Sequence, residues 1–533
     1  MKRLLLSLAA IAAIVLPCRS EDRSVVIPIG FPDLPFTATE ERMQEFVDSA
    51  KFYLESQFFG ERTFTFDLTR TVELQKPYAY YGSNSTDRKD ARIAEAVLEA
   101  CKEINPDYDF SCTDYVILVT AGPNESYEAG EDYFWPQQAR LSDFNIALSL
   151  DGRKLDEFAV CTELGPDGEV SGPGDLCHEF CHFLGLPDLY DIDAEGSGGL
   201  APGLMGLALM DTGNRNGGGH TPPDFTAVEY NLLETGECTR LEKGDYTLRP
   251  SKGNGAYCLL PSRYPDRYHL VENRGDGDLL IVKINRRNEF AGFSDSKRRD
   301  VSAAERWKFN EINCNPAYQC AELVHASASG VFSGDSLSII GIRKSGADFS
   351  FKVIEPIVID SIEVYQDGVS VRWETGFKAE EIASAGISWM KEGEELTDKE
   401  PVVLPEGKYF NGITGLDPDY EYGLSFHITT IEGQTFTRTS SFRTQPYRAG
   451  SFPFIMLDSL GRNDDGSFKP SSPLKLKVRN APEAEEITWT FNGRPVTTGA
   501  DGLWTIPSEG TLRARILWKD GSEDILIKKI ILQ

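Results

Sequence analysis

Apolar positions follow two periods along this chain, and the change from one to the other divides it. Val25-Val26-Ile27-Pro28-Ile29-Gly30-Phe31 is an almost unbroken apolar run, which predicts a buried strand. Glu41 to Phe59 carries apolar residues at helical spacing, and Arg62 to Leu74 alternates like a strand. Ala91 to Ile104 reads as a helix with Ile93, Ala96, Val97 and Cys101 on one face, and Asp114 to Thr120 as a strong internal strand. Strand, helix and strand in succession predict an α/β first domain.

Past about residue 246 the helical period gives way to short β-like runs, such as Tyr268 to Glu272 and Asp278 to Val282. Ile359 to Trp373 reads as two alternating strands joined at Gln366-Asp367-Gly368, a hairpin signal. Gly415 to Tyr422 resembles the approach to the tyrosine corner of fibronectin type III domains, with Tyr422 as the corner and Trp373 as the core tryptophan. A link around Pro446 to Pro453 leads to a last β module. There Trp489, Asn492-Gly493 and Trp504 precede a hairpin at Lys519 to Ser522, the texture of an immunoglobulin-like sandwich.

Composition narrows the picture in three ways. A chain of 533 residues is too long for one core, and at about 150 residues per domain it predicts three or four units. The net charge of −29, from 83 acidic and 54 basic residues, argues against nucleic acid or an anionic membrane as partner, since both require basic patches. Met1-Lys2-Arg3 followed by the apolar run Leu4 to Leu16 matches an export signal, and no later stretch reaches transmembrane length. Cleavage after Ser20 is one reading. Val15-Leu16-Pro17-Cys18 resembles a lipoprotein box, with Pro17 where a small residue is expected, so a lipid anchor on Cys18 is the alternative. Both readings put a monomeric mature protein outside the cytoplasm, secreted or on the cell surface. The ten cysteines are too sparse for a disulfide scaffold, although Cys101 with Cys112 and Cys314 with Cys320 are near enough in sequence to pair.

The chemistry is concentrated at His178-Glu179-Phe180-Cys181-His182, continuing through Gly185 to Asp188 as H-E-x-x-H-x-x-G-x-x-D. On a helix, i and i+4 share a face, so the imidazoles of His178 and His182 can reach a single ion. Gly185 can end the helix in the left-handed conformation, Pro187 sets the new direction, and Asp188 comes round as third ligand. A catalytic zinc takes three protein ligands and keeps an open position for water, and Glu179 is placed to act as the base toward that water. Asp191 is another carboxylate on the same turn. Cys177 and Cys181 lie one residue back from each histidine, about 100° round the helix, and suit packing or a disulfide. His269 lies in an alternating run far from the motif and reads as structural. Asp191, Asp193 and Glu195 alternate in the manner of calcium ligands, so Ca2+ is a second candidate ion beside Zn2+, with a solvated acidic loop the plainer account.

Several runs, in order, resemble the immune inhibitor A family of secreted bacterial metallopeptidases. They are Ile29 to Phe36, Tyr78 to Gly82, Thr120 to Gly122, Phe134 to Pro136, His178 to Asp191, Leu209 to Gly213 and Val271 to Arg274. The resemblance covers roughly residues 24 to 354, and its zinc motif with the Pro-Asp-Leu-Tyr-Asp tail is the specific part. It implies a metzincin-like α/β zincin that acts as a secreted endopeptidase on protein or peptide substrates. It also implies zinc on His178, His182 and Asp188, Glu179 as catalytic base and Met210 in the floor turn. Two departures stand out. Cys181 replaces a residue that is small in relatives, and no inhibitory propeptide is recognisable between the signal and Val25. The expected organisation is a signal at 1–20, a peptidase domain at 21–245 and its β-rich completion at 246–354, then a fibronectin type III-like domain at 355–447 and an immunoglobulin-like sandwich at 448–533. The competing class is an inactive peptidase fold serving adhesion or glycan binding through the sandwiches. A relic of that kind would have lost His178, Glu179 or His182, and all three are present.

Overall fold

In the computed structural model the opening apolar run becomes β1 (Asp22–Gly30), an interior strand of a six-stranded sheet. The structure describes residues 22–532 apart from 87, 128–129, 131, 193–198, 265–266, 276, 286–320, 392–396, 404–407, 447–451, 460–466 and 500–501. The export signal with Cys18, the Cys314–Cys320 pair, and Asp193 and Glu195 therefore lie outside the described residues. The chain divides into two compact units, Met1–Gly330 with Gly341–Phe351, and Val331–Ile340 with Lys352–Gln533. Among the described residues β structure dominates, spread over several separate sheets.

In the first unit, β1 pairs in parallel with β2 (Phe64–Leu68), β3 (Val72–Glu73) and β4 (Tyr115–Thr120), so the single alternating stretch expected over 62–74 is broken into two strands. The edge strand β5 (Gln137–Arg140) runs antiparallel to β8 (Glu157–Thr162), which is parallel to β4; β6 (Leu148–Leu150) and β7 (Arg153–Leu155) form a separate hairpin between them. The interior strands read as continuous apolar runs because both sheet faces are covered. Val25, Ile27, Ile29, Val116, Leu118, Phe158 and Val160 face one core, packed with the α3 side chains Ile93, Ala96, Val97 and Cys101. Val26, Ile117, Val119, Ala159 and Cys161 face the other, packed with α1 and α4.

Helix α1 (Glu40–Gln57) starts at Thr39, whose hydroxyl accepts from the Arg42 N–H, and carries Glu40 and Glu41 where the helix dipole favours acid. The short α2 (Tyr78–Gly82) precedes α3 (Ile93–Ile104), and α4 (Gly174–Phe183) and α5 (Ala227–Leu233) are the other α-helices among the described residues. Cys101 and Cys112 do not pair. Cys101 faces the core from α3, where burial pushes its thiol up to about 12, whereas Cys112 sits on an exposed turn. A five-stranded sheet built from Cys238–Arg240, Tyr257–Pro261, Arg267–Asn273, Leu279–Asn285 and Ala321–Ser327 also belongs to this unit.

In the second unit two four-stranded sheets face each other across Trp373, Ile387, Tyr409, Phe426 and Phe442. Trp373 is fully buried, lies parallel to Tyr409 at 4.4 Å between ring centres, and donates its indole N–H to Asn411 at 3.0 Å. The Tyr422 hydroxyl accepts from the Asp417 N–H at 2.9 Å, closing a corner five residues upstream. The hairpin read at 366–368 joins Ile357–Val364 to Gly368–Thr375, and that at 519–522 joins Gly510–Trp518 to Glu523–Ile530. Arg479 ends the strand Pro473–Arg479 fully buried, 3.1 Å from the Asp367 carboxylate and over the Tyr365 ring at 4.4 Å. Gly368 leaves room for it, because a Cβ there would lie 2.6 Å from Arg479 Nη1.

Candidate metal centre

Helix α4 follows β8 and is buried along nearly its whole length. No side chain caps its N-terminus, which is instead packed against backbone. A Cβ on Gly172 would stand 2.1 Å from the Gly219 carbonyl carbon, and one on Gly174 would stand 1.9 Å from the Asn214 carbonyl oxygen. The glycine-rich segment after the motif thus closes onto the helix start. Asp175 fastens the contact by accepting from Asn214 Nδ2 at 2.8 Å and Asn124 Nδ2 at 3.3 Å. Because the opposing atoms are backbone and cannot swing aside, Gly174→Ala is expected to destabilise this unit by about 1–3 kcal/mol. A thermal melt unchanged from wild type would show that the helix does not depend on this close approach.

The helix ends as the motif predicted. Gly185 has φ +95°; its N–H donates to the His182 carbonyl at 3.0 Å and that of Leu186 to the Cys181 carbonyl at 3.1 Å. This pair of bonds is the Schellman arrangement, which satisfies the last helical carbonyls and reverses the chain. The reversal returns Asp188 to the histidines. Its Oδ1 lies 3.1 Å from His178 Nε2 and 3.4 Å from His182 Nε2. The imidazoles are nearly perpendicular, with ring centres 4.9 Å apart.

The other ring nitrogens are anchored. His178 Nδ1 lies 2.9 Å from the Leu209 carbonyl and His182 Nδ1 2.7 Å from the Leu186 carbonyl. A carbonyl only accepts, so each Nδ1 carries a proton and each Nε2 is the nitrogen turned toward Asp188. Three electron-rich atoms then face one point, an arrangement that needs a cation or extra protons among them. Two ligands about 2.0–2.1 Å from a tetrahedral zinc stand about 3.3–3.4 Å apart, close to the spacings found here. Two imidazoles and a carboxylate are also a donor set that zinc accepts, so the residues present fit the ion.

Glu179 belongs to the same cluster. His178, Glu179 and His182 offer atoms all within 4.8 Å of one another. Glu179 nevertheless stands farther from His182 Nε2, at 3.9 Å, than Asp188 does, at 3.4 Å. Burial raises the Glu179 carboxyl to about 7 against the pull of the two histidines. Burial alone would lower His178, but the facing Asp188, helped by Glu179, raises it to about 9. Although burial opposes it, the two histidines hold Asp188 far below the usual carboxylate range.

The remaining sequence candidates fall outside this cluster. Asp191, the other carboxylate on the turn, accepts from the Ala201 N–H at 2.9 Å. Cys177 and Cys181 are free, buried and packed in the core that α4 shares with α1. His269 sits mid-strand opposite Leu260 and Lys283. Met210 is fully buried, and its turn is bonded to the centre. Its carbonyl accepts from Leu189, next to Asp188, at 2.7 Å, and its neighbour Leu209 holds His178.

Two supports went unread in the sequence. Glu229 accepts from the Met210 N–H at 2.9 Å while closing a capping box with Thr226 at the start of α5. The T-x-x-E spacing at 226–229 was legible, but its grip on the methionine turn is tertiary. Tyr190 stands over the centre, its ring 6.2 Å from that of His178. Burial, with Asp188 and Glu179 nearby, keeps that phenol protonated.

No protein-family model matches the chain, and no curated protein matches it. Several solved structures match parts of the chain. A purple acid phosphatase from yellow lupin (Lupinus luteus) seeds is 12% identical at a TM-score of 0.16, over 28% of this chain and 32% of that one. A structure of a 1.5-MDa bacterial ice-binding adhesin is 12% identical at 0.14, over 38% and 76%. The protein SGBP-B of a Bacteroides ovatus mixed-linkage glucan utilisation locus is 15% identical at 0.13, over 33% and 47%. Likenesses at this level carry no argument about fold or function.

Proposed function

We propose that this chain is a zinc-dependent endopeptidase, exported to the cell surface or medium, with a zincin-type α/β catalytic unit like that of the immune inhibitor A family. The observation that carries the reading is the convergence of His178 Nε2 and His182 Nε2 on Asp188, each ring held at Nδ1 by a carbonyl, with Glu179 beside them. His178, His182 and Asp188 would hold the ion. Zinc bound there supplies Lewis acidity, both to water and to the carbonyl of a peptide bond. Glu179, in a buried pocket where negative charge is costly, takes a proton from the attacking water and delivers it to the leaving amine. β5, at the edge of its sheet, offers an extended substrate a strand to pair with. In the second unit, the Tyr422 corner and the Trp373 core support a fibronectin type III-like module, followed by an immunoglobulin-like one.

The test is metal analysis of the purified full chain with a casein digest. Stoichiometric zinc is expected, with hydrolysis abolished by 1,10-phenanthroline and restored by added zinc. A metal-free protein, or a digest indifferent to the chelator, would overturn the reading.

A further inference from the structure

We propose that the first unit holds a second cation site, a calcium-type site built on Asp90 and Glu125 and separate from the histidine centre. Asp90 is fully buried. Its Oδ2 accepts from the Trp135 N–H at 3.0 Å and from Gln137 Nε2 at 2.6 Å, whereas its Oδ1 is buried with neither donor nor acceptor in reach. Protonation leaves that oxygen unsatisfied too, because the O–H would find no acceptor. Glu125 repeats the pattern. Its Oε1 meets Lys89 Nζ at 3.2 Å, and its Oε2 is buried with no partner. The two carboxyl groups belong to one cluster, since Asn84 reaches both residues. Its Oδ1 accepts from the Asp90 N–H at 2.9 Å, and its Nδ2 stands 3.5 Å from Glu125 Oε1. Both residues also hold the peptide unit between Phe134 and Trp135, Glu125 through its N–H on the carbonyl at 2.9 Å and Asp90 on the amide. Burial pushes the Asp90 carboxyl up to about 8, and Glu125 adds to the rise. Lys89 offsets one negative charge of the two, from an exposed position over the Trp135 ring. Two unmet, buried acidic oxygens are costly, and an all-oxygen donor set selects a hard ion such as Ca2+. Through Gln137 the Asp90 carboxylate also holds the first residue of β5, so an ion bound there would brace the start of the edge strand.

The test is a Ca2+ titration of the full-length protein, followed by thermal melting and by Tb3+ as a luminescent stand-in excited through tryptophan. About 10 mM Ca2+ is expected to raise the melting temperature of the first unit by about 2–8 °C, as for a site of millimolar or somewhat tighter affinity. Ca2+ should also displace the Tb3+ signal. Asp90→Asn and Glu125→Gln should each weaken both responses about 10-fold or more, because each removes one of the two charges. Glu125 is partly exposed, so its variant keeps the test decisive if Asp90→Asn fails to fold. Wild-type protein indifferent to Ca2+ would overturn the proposal and leave the two oxygens to a bridging water. So would a response that survives both substitutions, or one abolished by Asp191→Asn alone, either of which would place the ion elsewhere. Neither readout needs zinc or peptidase activity, so failure of the zinc-site reading would be seen separately.

Discussion

Full-length Glu179→Gln protein is expected to keep its fold and its zinc while losing peptide hydrolysis by about 10²–10⁴-fold, the usual contribution of a positioned acid–base group. Glutamine has the same shape and can still hydrogen-bond, but it can neither take a proton from water nor return one to an amine. The metal should stay because the donors nearest one another are His178, His182 and Asp188. Neutralising a buried carboxylate should also relieve desolvation, which already raises Glu179 to about 7, so loss of activity through unfolding is not anticipated. A fluorogenic peptide assay beside zinc analysis separates the outcomes. Zinc retained with hydrolysis undiminished would remove Glu179 from the mechanism; zinc lost would make it a ligand.

Asp188→Asn should weaken zinc binding by more than the about 10–100-fold typical of losing an outer partner, because it removes the negative charge among the three donors. Asp191→Asn should leave zinc in place, since that carboxylate accepts from the Ala201 N–H. The two aspartates are three residues apart on one loop, and the sequence alone left either free to serve. Zinc retained through gel filtration by Asp188→Asn and lost by Asp191→Asn would reverse the assignment. Equal retention by both would point to Glu179 as third ligand, which its place within 4.8 Å of both histidines makes a real competitor.

The motif was legible because its geometry is local. Residues at i and i+4 share a helix face whatever surrounds them, and a glycine after the last turn can reverse the chain without strain. The buried strands were legible for a similar reason, as an interior parallel strand must be apolar on both faces. Other expectations failed where distant contacts decide. Arg62 to Leu74 alternates like one strand but breaks into two, both paired with β1. Cys101 and Cys112 are close in sequence, yet one turns into the core and the other to solvent. Glu272 and Asn273, noted only as part of a resemblance, are structural clamps. Glu272 accepts from the Ala227 N–H that opens α5, and Asn273 bonds the Leu248 and Ala347 carbonyls.

By itself the sequence determined which side chains can act chemically and how two of them are spaced, because helical periodicity and glycine's freedom at positive φ are properties of a few consecutive residues. Tertiary structure decided the rest of the centre. It determined which carboxylate returns to the imidazoles, which carbonyls hold their protons on Nδ1, and which glutamate holds the methionine turn. Those relations join His178 to Leu209, Leu189 to Met210, and Met210 to Glu229. Hydrogen bonds between separate segments depend on how the chain packs, and no local pattern encodes them.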